Sequence, residues 1–125
     1  MRSREVRKLL FDVETACDLV LKFTRGITLD AFLRDEMVQS AVERQSEIIG
    51  EALKQAVGLD QTLSERISDV NRIIAFRNRL IHGYASVSPQ VVWGIVTNDL
   101  PPRESSRRAR SSYELASGAL YVLED

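Results

Sequence analysis

The sequence predicts an all-α fold, an antiparallel bundle of four to five helices, and three observations carry that prediction. Apolar residues recur at i, i+3, i+4 spacing through most of the chain, the period of a helix packed along one face. Proline is confined to Pro89, Pro101 and Pro102, so everything before Pro89 lacks the strongest helix breaker. No stretch alternates with the two-residue period of a half-buried strand. With 125 residues, 44% of them hydrophobic, the chain reads as one soluble domain with a core that needs no disulfide.

Each element follows in order. Val6, Leu9, Leu10, Val13, Cys17, Val20 and Leu21 mark a helix over roughly residues 3–25, with Gly26 as its C-cap. Cys17 lies in that stripe and reads as a small buried hydrophobe. Thr28 is an N-cap for a short turn carrying Leu29, Phe32 and Leu33, with a kink near Asp35. Val38, Ala41, Val42, Gln45, Ile48, Ile49, Ala52, Leu53 and Ala56 then share one face of a helix over roughly 36–57, stopped by Gly58. Gln45 is either a buried hydrogen-bonding residue or a mark of where a partner covers the stripe. Thr62-Leu63-Ser64-Glu65 has capping-box spacing and opens a third long helix over roughly 62–82. Its stripe is Ile67, Val70, Ile73, Ile74, Phe76, Leu80 and Ile81, and Gly83 is its natural end. Ser88-Pro89 places a cap before proline at the first helical position. Val91, Val92, Trp93, Ile95 and Val96 follow in a fourth helix, stopped by Pro101-Pro102. Arg103 to Ser112 holds four Arg, four Ser and nothing more apolar than Ala109, and reads as a solvated basic stretch, or alternatively as an RNA-contacting tail. The expected division is a helical domain over 1–101 and an atypical Arg/Ser-rich segment over 102–125.

Composition excludes several classes of function. Lys and Arg number 17 against 18 Asp and Glu, which excludes a broad basic surface for nucleic acid but not a local patch. One cysteine allows no internal disulfide and no cysteine-rich metal site, and one histidine allows no His cluster within a chain. Neither a metal nor a cofactor is expected. No apolar run approaches the ~18 residues of a membrane span. The N-terminus leads into an amphipathic helix rather than a signal-peptide core, so a cytoplasmic location is expected.

Chemistry concentrates in Phe76-Arg77-Asn78-Arg79-Leu80-Ile81-His82-Gly83-Tyr84. At about 100° per residue, Arg77, Ile81 and Tyr84 share a face with Val70 and Ile73. Asn78 and His82 form an i, i+4 pair on the adjacent polar face. Arg77 therefore emerges from within an apolar stripe, where an arginine is either snorkelling or salt-bridged, or reaches a cleft. His82 alone reads as a hydrogen-bonded histidine at a helix end. Together the group has what metal-independent RNA cleavage requires. A permanent cation binds phosphate bidentately, an imidazole trades a proton, and an amide supports both. One histidine does not easily serve as base and acid at once, and a two-fold dimer removes that difficulty.

Arg77, four residues, His82, one residue and Tyr84 resembles the Arg-(four to six)-His-any-Tyr signature of HEPN domains. The wording from Arg77 to Tyr84 is especially similar to that of HepT-like toxins. Ala41-Val42-Glu43-Arg44-Gln45-Ser46-Glu47-Ile48-Ile49-Gly50-Glu51-Ala52 is similar to the family's second helix, and Val91-Val92-Trp93 to its continuation after the motif. The match runs over about residues 4–100. Beyond Pro101 the family continues as an apolar final helix, and the basic segment here departs from it.

The resemblance implies a HEPN-type helical bundle that forms a homodimer with its motifs facing across the interface. It implies the toxin of a type VII toxin–antitoxin system, a metal-independent endoribonuclease acting by 2′-hydroxyl attack on RNA. Arg77 and His82 would be catalytic, Asn78 supporting and Arg79 an RNA or phosphate contact. The implied partner is an MNT-type nucleotidyltransferase antitoxin that silences the toxin by AMPylation of Tyr84. A non-catalytic HEPN adaptor, binding nucleotide or its nucleotidyltransferase partner, is the alternative on the same fold.

Overall fold

The computed structural model describes residues 2–82, 87–100 and 106–113, and all regular structure among them is helical. The first helix, α1, spans Arg2–Thr24, and Gly26 follows in the left-handed region at φ 71°, the conformation a helix-terminating glycine supplies. The Thr28 hydroxyl oxygen accepts from the Ala31 N–H at 3.2 Å and opens the single turn α2, Leu29–Leu33. The kink expected near Asp35 is a complete break. Asp35 is extended, and its Oδ1 accepts from the Val38 N–H at 3.1 Å to cap α3, Glu36–Leu59. Gln39 Nε2 donates to the Phe32 carbonyl at 2.8 Å and ties α3 back to α2.

Two expectations at the end of α3 are corrected. Gly58 does not stop the helix; it stays helical, and Asp60 supplies the cap. Glycine ends a helix when it turns left-handed, and here it does not. The capping box at Thr62 does not form either. The Thr62 hydroxyl donates to Asp60 Oδ1 at 2.6 Å, and the Thr62 N–H donates to the same oxygen at 3.0 Å. The third long helix expected over 62–82 is therefore two helices, α4 (Leu63–Arg66) and α5 (Val70–His82). Between them Ile67 is extended and Asp69 is left-handed at φ 62°. Aspartate is among the few residues that tolerate that region. Ile67 still reaches the core from this break, at 1% exposure.

Ser88 caps α6 (Pro89–Asn98) as expected, its Oγ accepting from the Val91 N–H at 3.3 Å. The helix ends at Asn98, before the prolines, with Asp99 as its cap. The solvated reading of 103–112 is corrected over its described part. Residues 106–113 form a further helix, α7, with Ser106 and Ala109 buried. Arg110 pairs with the buried carboxylate of Glu14 on α1, and its guanidinium lies 5.7 Å from the Phe11 ring. At the other end the Tyr113 hydroxyl donates to Asp60, and Arg66 Nη2 donates to Ser112 Oγ at 2.7 Å. Arg110, Ser112 and Tyr113 make these contacts with polar groups, so an apolar count does not register them.

The long helices α1 and α3 pack most extensively, and α5 packs against α3. Short α2 lies against α6, where the Phe32 and Trp93 rings meet at 5.1 Å. Leu10, Val13, Phe32, Ile49, Leu53, Leu63 and Ile73 are fully buried. Each contributes roughly 1.5–3 kcal/mol by burial. Cys17 lies in this core, and burial, with the Asp18 and Glu14 charges, pushes its thiol up to about 12. Among the described residues no helix is long and apolar enough to cross a membrane.

Candidate active site

The position of Arg77 is set by a glycine across from it. Gly50 is buried in the middle of α3, where glycine costs about 1 kcal/mol relative to alanine. A Cβ built there would stand 2.2 Å from Arg77 Cβ, 2.8 Å from Arg77 Cγ and 3.3 Å from the Ile73 carbonyl oxygen. The missing side chain thus lets α5 lie directly on the backbone of α3. It also presses the stem of Arg77 against α3, leaving the side chain 15% exposed.

The guanidinium is then held from two sides. Nη2 stands 2.7 Å from Glu51 Oε2, a charge contact without the angle of a hydrogen bond. Nη1 donates to Asn78 Oδ1 at 2.9 Å. Nε is buried and has no hydrogen-bond partner among the described residues. Gln55 Nε2 donates to Glu51 Oε1 at 3.0 Å. That bond, aided by the positive charges of Arg77 and Lys54, holds the Glu51 carboxyl below its ordinary value, although burial pushes the other way. Of the readings of Arg77, two hold together: it is salt-bridged to Glu51 and it reaches a cleft.

The motif residues divide between two depressions. Arg77 and Ile81 line a cleft of about 420 Å³ closed by α1 and α3. Asn78, Arg79 and His82 line an open groove of about 450 Å³, together with Lys54 of α3. Among the described residues, Arg77 lines the first depression and His82 the second. Asn78 joins the two, bonding Arg77 with its oxygen while lining the groove that holds His82. Tyr84 and Gly83 lie outside the described residues. Among the described residues no three His, Cys, Asp or Glu side chains stand together where they could hold a metal ion.

A family model described as Ribonuclease HepT-like matches residues 13–108. The chain belongs to the HepT-like ribonuclease family. The protein named "Probable ribonuclease HepT" of Thermococcus cleftensis is 37% identical over 99 residues, covering 79% of this chain and 89% of that protein. The protein named "Putative RNase MJ0127" of Methanocaldococcus jannaschii is 33% identical over 103 residues, covering 81% of this chain and 83% of its own. No solved structure matches the chain significantly.

Three residues of this HepT-like chain were missed as individual contributors: Gly50, Glu51 and Lys54. A glycine in the middle of a long helix with no capping role was the available signal for the first. Glu51 and Lys54 carry no such signal, because a charged residue on α3 reads as solvated until α5 is laid beside it.

Proposed function

We propose that this HepT-like chain is the toxin of a type VII toxin–antitoxin pair and a metal-independent endoribonuclease. The observation that carries the reading is the Arg77–Asn78–His82 set on α5, a guanidinium bonded to an amide that lines the same open groove as the imidazole. A base at the site takes the proton of the ribose 2′-hydroxyl, whose oxygen attacks the adjacent phosphorus. The bond to the 5′-oxygen breaks, that oxygen receives a proton, and a 2′,3′-cyclic phosphate remains. His82 carries the proton, and Arg77 meets the charge that develops on the phosphoryl oxygens. Asn78 orients Arg77, and Arg79 contacts the strand. A homodimer supplies a second imidazole, so base and acid need not be the same group. Tyr84 is the residue an MNT-type nucleotidyltransferase would adenylylate, adding an anion next to these cations.

Purified protein incubated with RNA in EDTA tests this. RNA should be cut to 2′,3′-cyclic phosphate ends, and DNA, which lacks the 2′-hydroxyl, should remain intact. His82→Ala and Arg77→Ala should each lose about 100- to 10,000-fold in rate. The Glu51 contact favours a second reading, in which Arg77 is neutralised and the chain is a non-catalytic HEPN subunit. RNA left intact by a folded dimer would support that reading instead.

A further inference from the structure

We propose that Lys54 of α3 is a substrate-contacting residue, which with Arg79, His82 and Asn78 binds a backbone phosphodiester of a single-stranded RNA. This rests on the ribonuclease reading above. Among the described residues the groove is lined by these four side chains, and no carboxylate is among them. Lys54 supplies an ammonium and Arg79 a guanidinium, and the Asn78 amide has N–H groups to donate. The neighbouring Arg77 cleft is different. Its Lys8, Arg44 and Arg77 are matched by Asp12, Glu47 and Glu51, and the pairs Lys8–Asp12, Arg44–Glu47 and Arg77–Glu51 are formed. A polyanion gains little where every cation already has its acid. It gains more in the adjoining groove, where Lys54 and Arg79 face solvent.

The fold explains why a residue of α3 completes a groove on α5. Gly50 brings the two backbones together, and Lys54 stands one helical turn further along α3. Its four-carbon stem spans the distance to the last turn of α5. The nearest acid on α3, Glu51, feels the Lys54 charge but lines the other cleft, where Arg77 and Gln55 engage it. A phosphate at Lys54 would hold the strand on the His82 side of Asn78, where the proposed proton transfer takes place.

The test uses a 2′-O-methyl RNA strand, which cannot be cut, and measures its binding by fluorescence anisotropy across a salt series. Lys54 is exposed, and alanine suits a helix surface, so Lys54→Ala should fold. It should weaken binding about three- to tenfold and reduce the salt slope by about 0.7, the share of one single-strand phosphate contact. Lys54→Arg should restore most of both, and Lys22→Ala, an exposed lysine on α1, should change neither. With cleavable RNA, Lys54→Ala should raise KM more than it lowers kcat. Unchanged affinity and slope in Lys54→Ala would overturn the inference, even if the wild type cleaves RNA. Weaker binding by Lys54→Ala alongside a wild type that cleaves nothing would uphold the contact while removing the catalytic reading. AMP binding that depends on Lys54, with RNA binding indifferent to it, would assign the groove to a mononucleotide and overturn the proposal.

Discussion

A methyl group at position 50 would overlap Arg77 Cβ, which is fixed to the backbone, so Gly50→Ala must move α5 away from α3 and the guanidinium with it. Overpacking of this kind typically costs about 1–3 kcal/mol. Urea denaturation should register that loss, and RNA cleavage should fall further than the residual fold explains, because Arg77 leaves its contacts with Asn78 and Glu51. A Gly50→Ala variant with wild-type stability and cleavage would show that the two helices have room to part. Glu51 makes a pH-dependent contribution. Its carboxyl titrates below the ordinary 4.5, so its stabilising contact is present above that value and is lost as the pH falls through the lower folded value. Wild type should therefore be modestly more stable than Glu51→Gln at pH 7, and the gap should close as the pH drops below 4.5. The side chain is 41% exposed, so the gap is small. Thermal melts at a series of pH values would read it, and a gap that widens in acid would contradict the assigned contact.

At the scale of elements, α7 is attached by polar anchors rather than by an apolar stripe. Glu14 is 8% exposed on α1 and meets Arg110, which also lies over Phe11. Glu14→Ala removes the carboxylate from a guanidinium only 21% exposed. A cost of about 1–3 kcal/mol is expected, together with faster amide exchange through 106–113. Unchanged exchange in that segment would mean that Tyr113 and Ser112 hold it without help. The break between α4 and α5 belongs to the same scale. Asp60 captures Thr62, and the left-handed Asp69 redirects the chain, so the motif helix begins at Val70 and ends at His82 within 13 residues. His82, in the last described turn of that helix, has its side chain exposed.

The whole molecule carries nearly balanced charge, so its attraction for RNA is local rather than global. The groove at Lys54, Arg79 and His82 is one such local basic site. A single histidine per chain, with Arg77 in a separate cleft, is the reason to expect two chains at work. Ile81, 44% exposed on the rim of the Arg77 cleft, leaves apolar surface there for a second copy to cover. Light scattering after size exclusion should give the mass of two chains at micromolar concentration. The mass of one chain would leave the proposed acid–base pair without its second member.

Periodicity and local chemistry by themselves determined α1, α2, α3 and α6 and where each begins. Gly26, Thr28 and Ser88 act within a few residues of their own position, and each caps where its side chain or its φ predicts. The motif from Arg77 to His82 was also readable, because its spacing is a property of one helix. Only the tertiary structure decided what each motif residue faces. Arg77 is ion-paired because Gly50 admits it beside Glu51, and Lys54 joins the groove because the same glycine draws α3 against α5. The break before Val70 and the docking of α7 were hidden for the same reason. Asp60 with Thr62 and Tyr113, and Glu14 with Arg110, are polar pairs made across loops or between distant segments. Helical periodicity records which face of a helix is apolar, and it carries no information about which distant polar group will meet it.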